Sequence, residues 1–255
     1  MTLNKDRIKK RFSRAAATYD DQAFIQLKVA DRLLSLLDKY TAGCPGKVLE
    51  IGCCTGLLTS RLAQRCQDLE KLYVNDLVAE FRPLVAGRVP AEVNLEFLEG
   101  DIETVALPAD IDLVISSSTF HWLHDLSSLF ARLAAHMAPN SILAFSMYSN
   151  RNLHEIREIT GIGLDYYGPA EIKALVEEYF RVQTFEEEVI TFRFRDPLDI
   201  LHHLRETGVN ALDGSPWNRS RLADFIAEYK HRFGDGDRVR LTYHPVYCVA
   251  CRKDK

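Results

Sequence analysis

The residues best suited to chemistry in this chain are small or acidic, and they recur just after predicted strands. Gly52-Cys53-Cys54-Thr55-Gly56 follows the aliphatic run Lys47–Ile51 and precedes a helical pattern over 57–66. Such a turn lets backbone amides approach a bound group, aided by the N-terminus of the next helix. Asp76 ends the next β-like run, and its two oxygens can accept from a pair of neighbouring hydroxyls. Gly100-Asp101-Ile102 follows the third run. Ser116-Ser117-Ser118, with Phe120-His121-Trp122 behind it, follows the fourth.

These positions carry functional weight because an open α/β sheet binds ligands beyond the carboxyl ends of its strands. The apolar pattern predicts strands over 47–51, 72–76, 93–98, 111–116 and 142–147. Helices are predicted over 21–40, 57–66, 78–89 with a kink at Pro83, and 126–137. Strands alternating with helices mean parallel βαβ units in right-handed crossovers, with helices on both faces. After residue 150 a helix is predicted over 170–180, then two long β-like segments over 182–194 and 239–251 that read as a closing antiparallel pair. Between them lie helices over 198–207 and 220–233, joined by a loop over 208–217. The expected organisation is a single domain over 1–255, with an N-terminal helical segment at 1–42 and a helical insertion at about 196–235.

Composition excludes several classes. The chain has 255 residues, 47% hydrophobic and 27% charged, with 13 Gly and 6 Cys, which rules out disorder, collagen-like repeats and a disulfide-stapled miniature fold. A net charge of −4 argues against a surface built wholly for nucleic acid or an acidic membrane. The charge is nonetheless uneven. Lys5, Arg7, Lys9, Lys10, Arg11 and Arg14 against Asp6 give the first 14 residues +5, leaving −9 on the rest. The opening residues are charged, so no signal peptide is expected there, and no apolar run approaches a membrane span. Scattered cysteines fit a reduced, cytoplasmic compartment.

Taken together, the four loops resemble the S-adenosylmethionine site of class I methyltransferases. The flanks narrow the resemblance. Phe12-Ser13-Arg14-Ala15-Ala16-Ala17-Thr18-Tyr19-Asp20, Ala23 and Gln26, residues 48–56, Phe120-His121-Trp122, and Leu241-Thr242-Tyr243-His244 are similar to the malonyl-acyl-carrier-protein O-methyltransferases of biotin synthesis. The likeness runs from Arg11 to about Arg252. It implies a Rossmann-like class I methyltransferase fold: an α/β architecture whose mostly parallel, seven-stranded sheet carries helices on both faces and a small helical insertion. It also implies S-adenosylmethionine held by Tyr19, Gln26, Glu50, Gly52, Cys53, Gly56, Asp76, Leu77, Asp101, Ile102 and Ser117. Asp76 would accept both ribose hydroxyls and Asp101 the adenine amino group, with Leu77 and Ile102 flanking the ring. One position departs from the family loop Glu-x-Gly-x-Gly-x-Gly, whose middle glycine is Cys54 here. The turn is expected to adapt to that side chain, or the cofactor to shift slightly.

The implied reaction is methyl transfer to the free carboxylate of a malonyl thioester on acyl carrier protein. A carboxylate is already ionised at neutral pH, so no general base is required. Alignment, charge stabilisation and water exclusion remain. No metal site is expected, since His121-x-x-His124 is an isolated pair and Cys248-x-x-Cys251 sits on a predicted strand whose i, i+3 side chains point to opposite faces. Tyr19, Trp122 and Arg157 are the candidates for positioning substrate. Lys9, Lys10, Arg11 and Arg14 are candidates for steering an acidic carrier, or simply a solvated helix face. Two other readings stay open: an enzyme acting on another small carboxylate or a lipid-like acceptor, and a cofactor-binding interaction protein that transfers no methyl group. Gly52 and Gly56 do not form the G-x-G-x-x-G turn of a nicotinamide site.

Overall fold

In a computed structural model, which describes residues 3–41, 43–66, 68–209 and 217–253, the predicted parallel strands form the centre of one sheet. They are β1 (Lys47–Ile51), β2 (Lys71–Asp76), β3 (Leu95–Glu99), β4 (Ile111–Ser117) and β5 (Met137–Tyr148). With β6 (Phe180–Glu187) and β10 (Pro245–Arg252) they make a seven-stranded sheet in the order β3-β2-β1-β4-β5-β10-β6. Only β10 runs against its neighbours. The order reverses between β1 and β4, which places the switch point, and any ligand crevice, at their carboxyl ends.

Residues alternate between the two faces of each central strand, so both faces are apolar and both must be covered. Val48, Leu113 and Ile115 belong to one core with Ile25, Val29 and Leu33 of α3 (Phe24–Leu37). Leu49, Ile51 and Val114 belong to a second core with Leu129, Phe130 and Leu133 of α6 (Leu126–His136) and Ile172 and Val176 of α8 (Pro169–Tyr179). Capping fixes where helices start: Asn4 accepts from the Arg7 amide to open α1 (Lys5–Ala15), and Asp125 accepts from the Ser128 amide to open α6. α2 (Tyr19–Gln22) connects α1 to α3, and α4 (Leu57–Arg65) follows the glycine turn.

Two departures from the sequence reading have local causes. The helix expected over 78–89 shrinks to α5 (Phe81–Ala86), because the Asp76 carboxylate takes the Val78 amide in a turn before any helix can form. Each long β segment expected at the end of the chain is two strands in different sheets. β6 separates from β7 (Ile190–Phe194), and β9 (Arg238–Tyr243) separates from β10, with β8 (Gly234–Asp235) completing a second sheet in the order β7-β9-β8. The breaks face each other. The Glu188 amide donates to the Pro245 carbonyl, the Ser149 amide donates to the His244 carbonyl, and Pro245 has no amide to continue the ladder.

The helices predicted in the insertion appear as α9 (Pro197–Glu206) and α10 (Arg219–Phe233), packed on the small sheet. α7 (His154–Thr160) precedes the Gly161–Gly168 segment that leads into α8. Most of the predicted 208–217 loop lies outside the described residues. Among the described residues no helix is long and apolar enough to cross a membrane.

Candidate active site

The crevice at the β1/β4 switch is organised by two consecutive residues at the end of β2. The Asn75 carbonyl accepts from the amides of Gly52 (2.8 Å) and Cys53 (3.0 Å), while its side-chain amide donates to the carbonyls of Leu98 (2.8 Å) and Gly100 (3.0 Å). Asp76 accepts the Cys54 amide on Oδ2 (2.8 Å) and the Val78 amide on Oδ1 (2.9 Å). Each carboxylate oxygen keeps a further lone pair for a ligand. Burial pushes this carboxyl up to about 6, against the opposing pull of the Val78 and Cys54 amides.

The glycine corner is tight. Gly52 has φ of +75°, and a Cβ there would lie 2.0 Å from Thr119 Oγ1 and 2.8 Å from Thr119 Cβ. Gly52→Ala is therefore expected to displace the loop after β4 and cut cofactor affinity at least tenfold. Calorimetry with S-adenosylhomocysteine checks this, with circular dichroism confirming the fold. The departure at Cys54 is accommodated in the backbone, which holds this residue at φ of +47°. That left-handed conformation favours glycine, so the side chain adds local strain to the turn.

A cleft of about 680 Å³ opens in front of these loops. Asp76, Leu77, Asp101, Ile102 and Ser117 line it together with Gly52 and Cys54. Its outer wall is the N-terminal segment, which supplies Lys5, Ile8, Phe12 and Tyr19. Lys5 Nζ reaches Asp101 Oδ1 (3.2 Å) and Glu103 Oε2 (2.7 Å), tying α1 across the end of the cleft. Burial works against the Glu103 charge, yet Lys5 and the amides of Asp125 and His124 hold its carboxyl at about 2. Farther along, Asp20 accepts from Thr55 Oγ1 (2.6 Å) and pairs with Arg88, fastening the same segment to the glycine turn.

Behind the turn lies a smaller cavity lined by Gln26, Glu50, Cys53 and Tyr19. Neither Glu50 oxygen nor Gln26 Oε1 has a hydrogen-bond partner among the described residues, although all are buried. Burial pushes the Glu50 carboxyl up to about 8. A buried carboxylate without a partner is complementary to a cationic ligand group. Gly56 lines neither cavity. Its φ of +90° turns the chain into α4 with an added Cβ only 3.2 Å from Val85 Cα.

A second cleft, of about 690 Å³, shares Ile8 and Trp122 with the first. The Trp122 ring is the partition, held edge-on by Phe12 at 5.9 Å. Arg157 lines this second cleft, its guanidinium donating to the Asn150 carbonyl (2.7 Å), beside Asn152 and Tyr166. Gly163 gives the Arg157 stem room, since a Cβ there would lie 3.1 Å from its Cδ. Arg11 also turns into this cleft, joined by Arg7, which the sequence reading did not single out. Lys10 and Arg14 are exposed, and Lys9 lies within electrostatic range of Glu80. The basic head thus divides between a cleft and the outer surface.

The Leu241–His244 stretch supports this second cleft without lining it. Thr242 donates to Glu155 through its amide (3.1 Å) and hydroxyl (2.6 Å), the Tyr243 hydroxyl meets His203 Nε2 (2.6 Å), and the His244 amide donates to Asn152 Oδ1 (3.3 Å). The Thr242 and His244 bonds fix the segment that carries Asn152 and Arg157, while the Tyr243 bond ties the strand to α9. Among the described residues no group of three or more His, Cys, Asp and Glu side chains is placed to hold a metal ion.

A family model described as a methyltransferase domain matches residues 49–145, which span β1 to β5 and their loops. The fold is similar to an S-adenosylmethionine-dependent methyltransferase from Mesorhizobium loti (TM-score 0.54, 14% identity, 87% of this chain and 96% of that one). It is also similar to the N-methyltransferase NodS from Bradyrhizobium japonicum in complex with S-adenosyl-L-homocysteine (TM-score 0.52, 14% identity, 88% and 87%). Fold and site together define a class I methyltransferase whose cofactor is S-adenosylmethionine. At higher identity, the chain matches the malonyl-acyl-carrier-protein O-methyltransferases of Prosthecochloris aestuarii (39% identical, covering 96% of this chain and 93% of the relative) and Bacteroides thetaiotaomicron (36%, covering 98% and 99%). The chain belongs to that family.

The residues present suit this cofactor. The buried Glu50 carboxyl would suit the cationic amino group of the methionine end, and Asp76 would offer acceptors for a ribose diol. Leu77 and Ile102 supply apolar surface beside Asp101 for the adenine.

Proposed function

We propose that this protein methylates the free carboxylate of a malonyl thioester carried by an acyl carrier protein, giving the methyl ester that starts pimeloyl synthesis for biotin. The observation that carries the reading is the meeting of two clefts at Trp122, one with the chemistry of a nucleoside site and the other lined by arginines. Bound S-adenosylmethionine supplies an electrophilic methyl group, transferred to a carboxylate oxygen while the carbon–sulfur electron pair stays with sulfur. No proton moves, so the chain needs no base.

What the chain supplies is alignment and a suitable field. Trp122 puts an aromatic face at the junction of the clefts and Tyr19 another on the wall of the nucleoside cleft, where a cationic sulfonium is favoured. Burial raises the Tyr19 hydroxyl well above its ordinary value, so it stays a neutral donor. His121, packed against Trp122, is lowered to about 3 by burial and stays neutral, adding no repelling charge. Arg157 orients the acceptor carboxylate from the second cleft.

The partner is an acidic carrier, and the exposed Lys10 and Arg14 are its steering charges on α1. With six free cysteines, the reading fits a reducing cytoplasm. Incubation with labelled cofactor and malonyl carrier protein is expected to give a base-labile methyl ester. Transfer to free acids or phenols but not to malonyl thioesters overturns the acceptor. Reversing Lys10 and Arg14 to Glu is expected to raise KM for the carrier-bound substrate about tenfold at low salt and flatten its salt dependence. A short malonyl thioester should be unaffected, and equal losses on both substrates would point to a damaged fold.

A further inference from the structure

We infer that Cys44 and Cys66 are a reversible redox pair, which a small-molecule disulfide closes to a protein disulfide that staples the α3–β1 loop to the end of α4. The backbone brings the two together. The Gly46 carbonyl accepts the amides of Glu70 (2.9 Å) and Lys71 (3.0 Å), so the approaches to β1 and β2 run side by side at the amino ends of those strands. Cys44 lies on the first approach. Cys66 ends α4 on the second, its amide donating to the Leu62 carbonyl. The Cys44 thiol donates to the carbonyl of Arg65 at 3.7 Å, and that carbonyl belongs to the peptide unit that leads into Cys66. Both side chains line one surface hollow, beside Asp38 and Thr41.

Their surroundings give the two thiols different parts. Among the described residues Cys44 is the one exposed cysteine, whereas Cys66 is half-buried. Burial, then hydrogen bonding to the Cys44 side chain and its charge, push the Cys66 thiol up to about 12. An oxidant therefore meets Cys44 first. The Cys44 thiolate attacks one sulfur of the small disulfide, and the other leaves as a thiolate that takes up the proton Cys44 gave up. The mixed disulfide removes the Cys44 thiol that held the Cys66 proton in place. Cys66 then ionises more readily, its sulfur attacks that of Cys44, and the second small thiol leaves with a proton. Two electrons and two protons have passed from the protein to the oxidant, which becomes two thiols. Among the described residues no third His, Cys, Asp or Glu is placed to turn the pair into a metal site, so bond formation is the chemistry it offers.

The bond would sit at the edge of the sheet opposite the cofactor crevice, which lies at the carboxyl ends of the strands. It should act on stability alone, by restricting the unfolded chain over 44–66. The test incubates the folded wild-type protein with oxidised glutathione and maps its peptides by mass spectrometry without reduction. The expected product is a Cys44–Cys66 cross-linked peptide, lost on treatment with dithiothreitol, together with a Tm higher by about 5 °C. Cys44→Ser and Cys66→Ser should each abolish the Tm rise, and S-adenosylhomocysteine affinity should be the same for oxidised and reduced wild-type protein. The mapping needs no variant. Both thiols free, each carrying its own glutathione, or bridged to other cysteines would overturn the pair. A Tm rise that survives in Cys44→Ser, or a loss of cofactor affinity on oxidation, would overturn the staple.

Discussion

Asp76→Ala is expected to weaken binding of S-adenosylhomocysteine by about tenfold to a hundredfold, or roughly 1.4–3 kcal/mol. Part of the loss is direct, because two hydroxyl donors lose a charged acceptor. Part is indirect, since the same carboxylate holds the Cys54 and Val78 amides and so shapes the turns on both sides of the cleft. Isothermal calorimetry measures the affinity, and an unchanged value would remove Asp76 from the site. The pH dependence separates the two parts. Ribose binding favours the ionised carboxylate, whose pKa burial pushes up to about 6, so wild-type affinity should fall as pH drops through 6. Stability runs the other way. A carboxyl raised on folding contributes most below its unfolded value near 4, and that contribution is lost as pH rises through about 6. Between those values the unliganded fold weakens while its hold on the cofactor improves, and Asp76→Ala should flatten both trends.

The half of the site made by strand ends was legible in the sequence because its positions are set by the sheet alone. Once β1, β2 and β3 are parallel neighbours, Gly52, Asp76 and Asp101 must come to one edge whatever else the chain does. The other half depends on where α1 docks. Lys5 and Phe12 enter the cofactor cleft, and Arg7 enters the second cleft, only because α1 lies across the sheet, held by Asp101, Glu103 and Trp122. Periodicity gives α1 an amphipathic face and cannot say which loops that face meets. For the same reason a run of basic residues read as one docking patch resolves into Lys10 and Arg14 outside and Arg7 and Arg11 at a cleft.

The split of the closing strands was hidden for a different reason. Both halves of 182–194 and of 239–251 have strand composition, and the break at His244 is set by two residues far away in sequence, Ser149, whose amide donates to the His244 carbonyl, and Asn152, whose Oδ1 accepts from the His244 amide. One signal was available in Pro245, which cannot continue a ladder through its nitrogen. The Leu241–His244 motif is informative in hindsight about position rather than chemistry: Thr242 and His244 hold the α7 segment, and with it Arg157, against the sheet.

Glu50→Gln should show what its buried carboxylate is for. In the unliganded protein its pKa of about 8 keeps it protonated at pH 7, because burial outweighs the opposing pull of the Thr59 hydroxyl and the nearby Asp76 charge adds to it. A cationic amino group brought beside it reverses that preference, so cofactor binding at pH 7 should release about one proton from this residue. Calorimetry in two buffers of different ionisation enthalpy reads the release directly. Wild-type affinity should rise with pH up to about 8, while Glu50→Gln should bind at least tenfold more weakly and lose the Glu50-linked release. Without cofactor the substitution acts in the opposite direction. The contribution of Glu50 to stability is fullest below about 4.5 and is lost as pH rises through 8, so the glutamine protein should be the more stable of the two above pH 8, by about 2 kcal/mol or more. If the glutamine protein binds as tightly as wild type with the same proton release, Glu50 does not meet the cationic end of the cofactor, and its burial needs another cause.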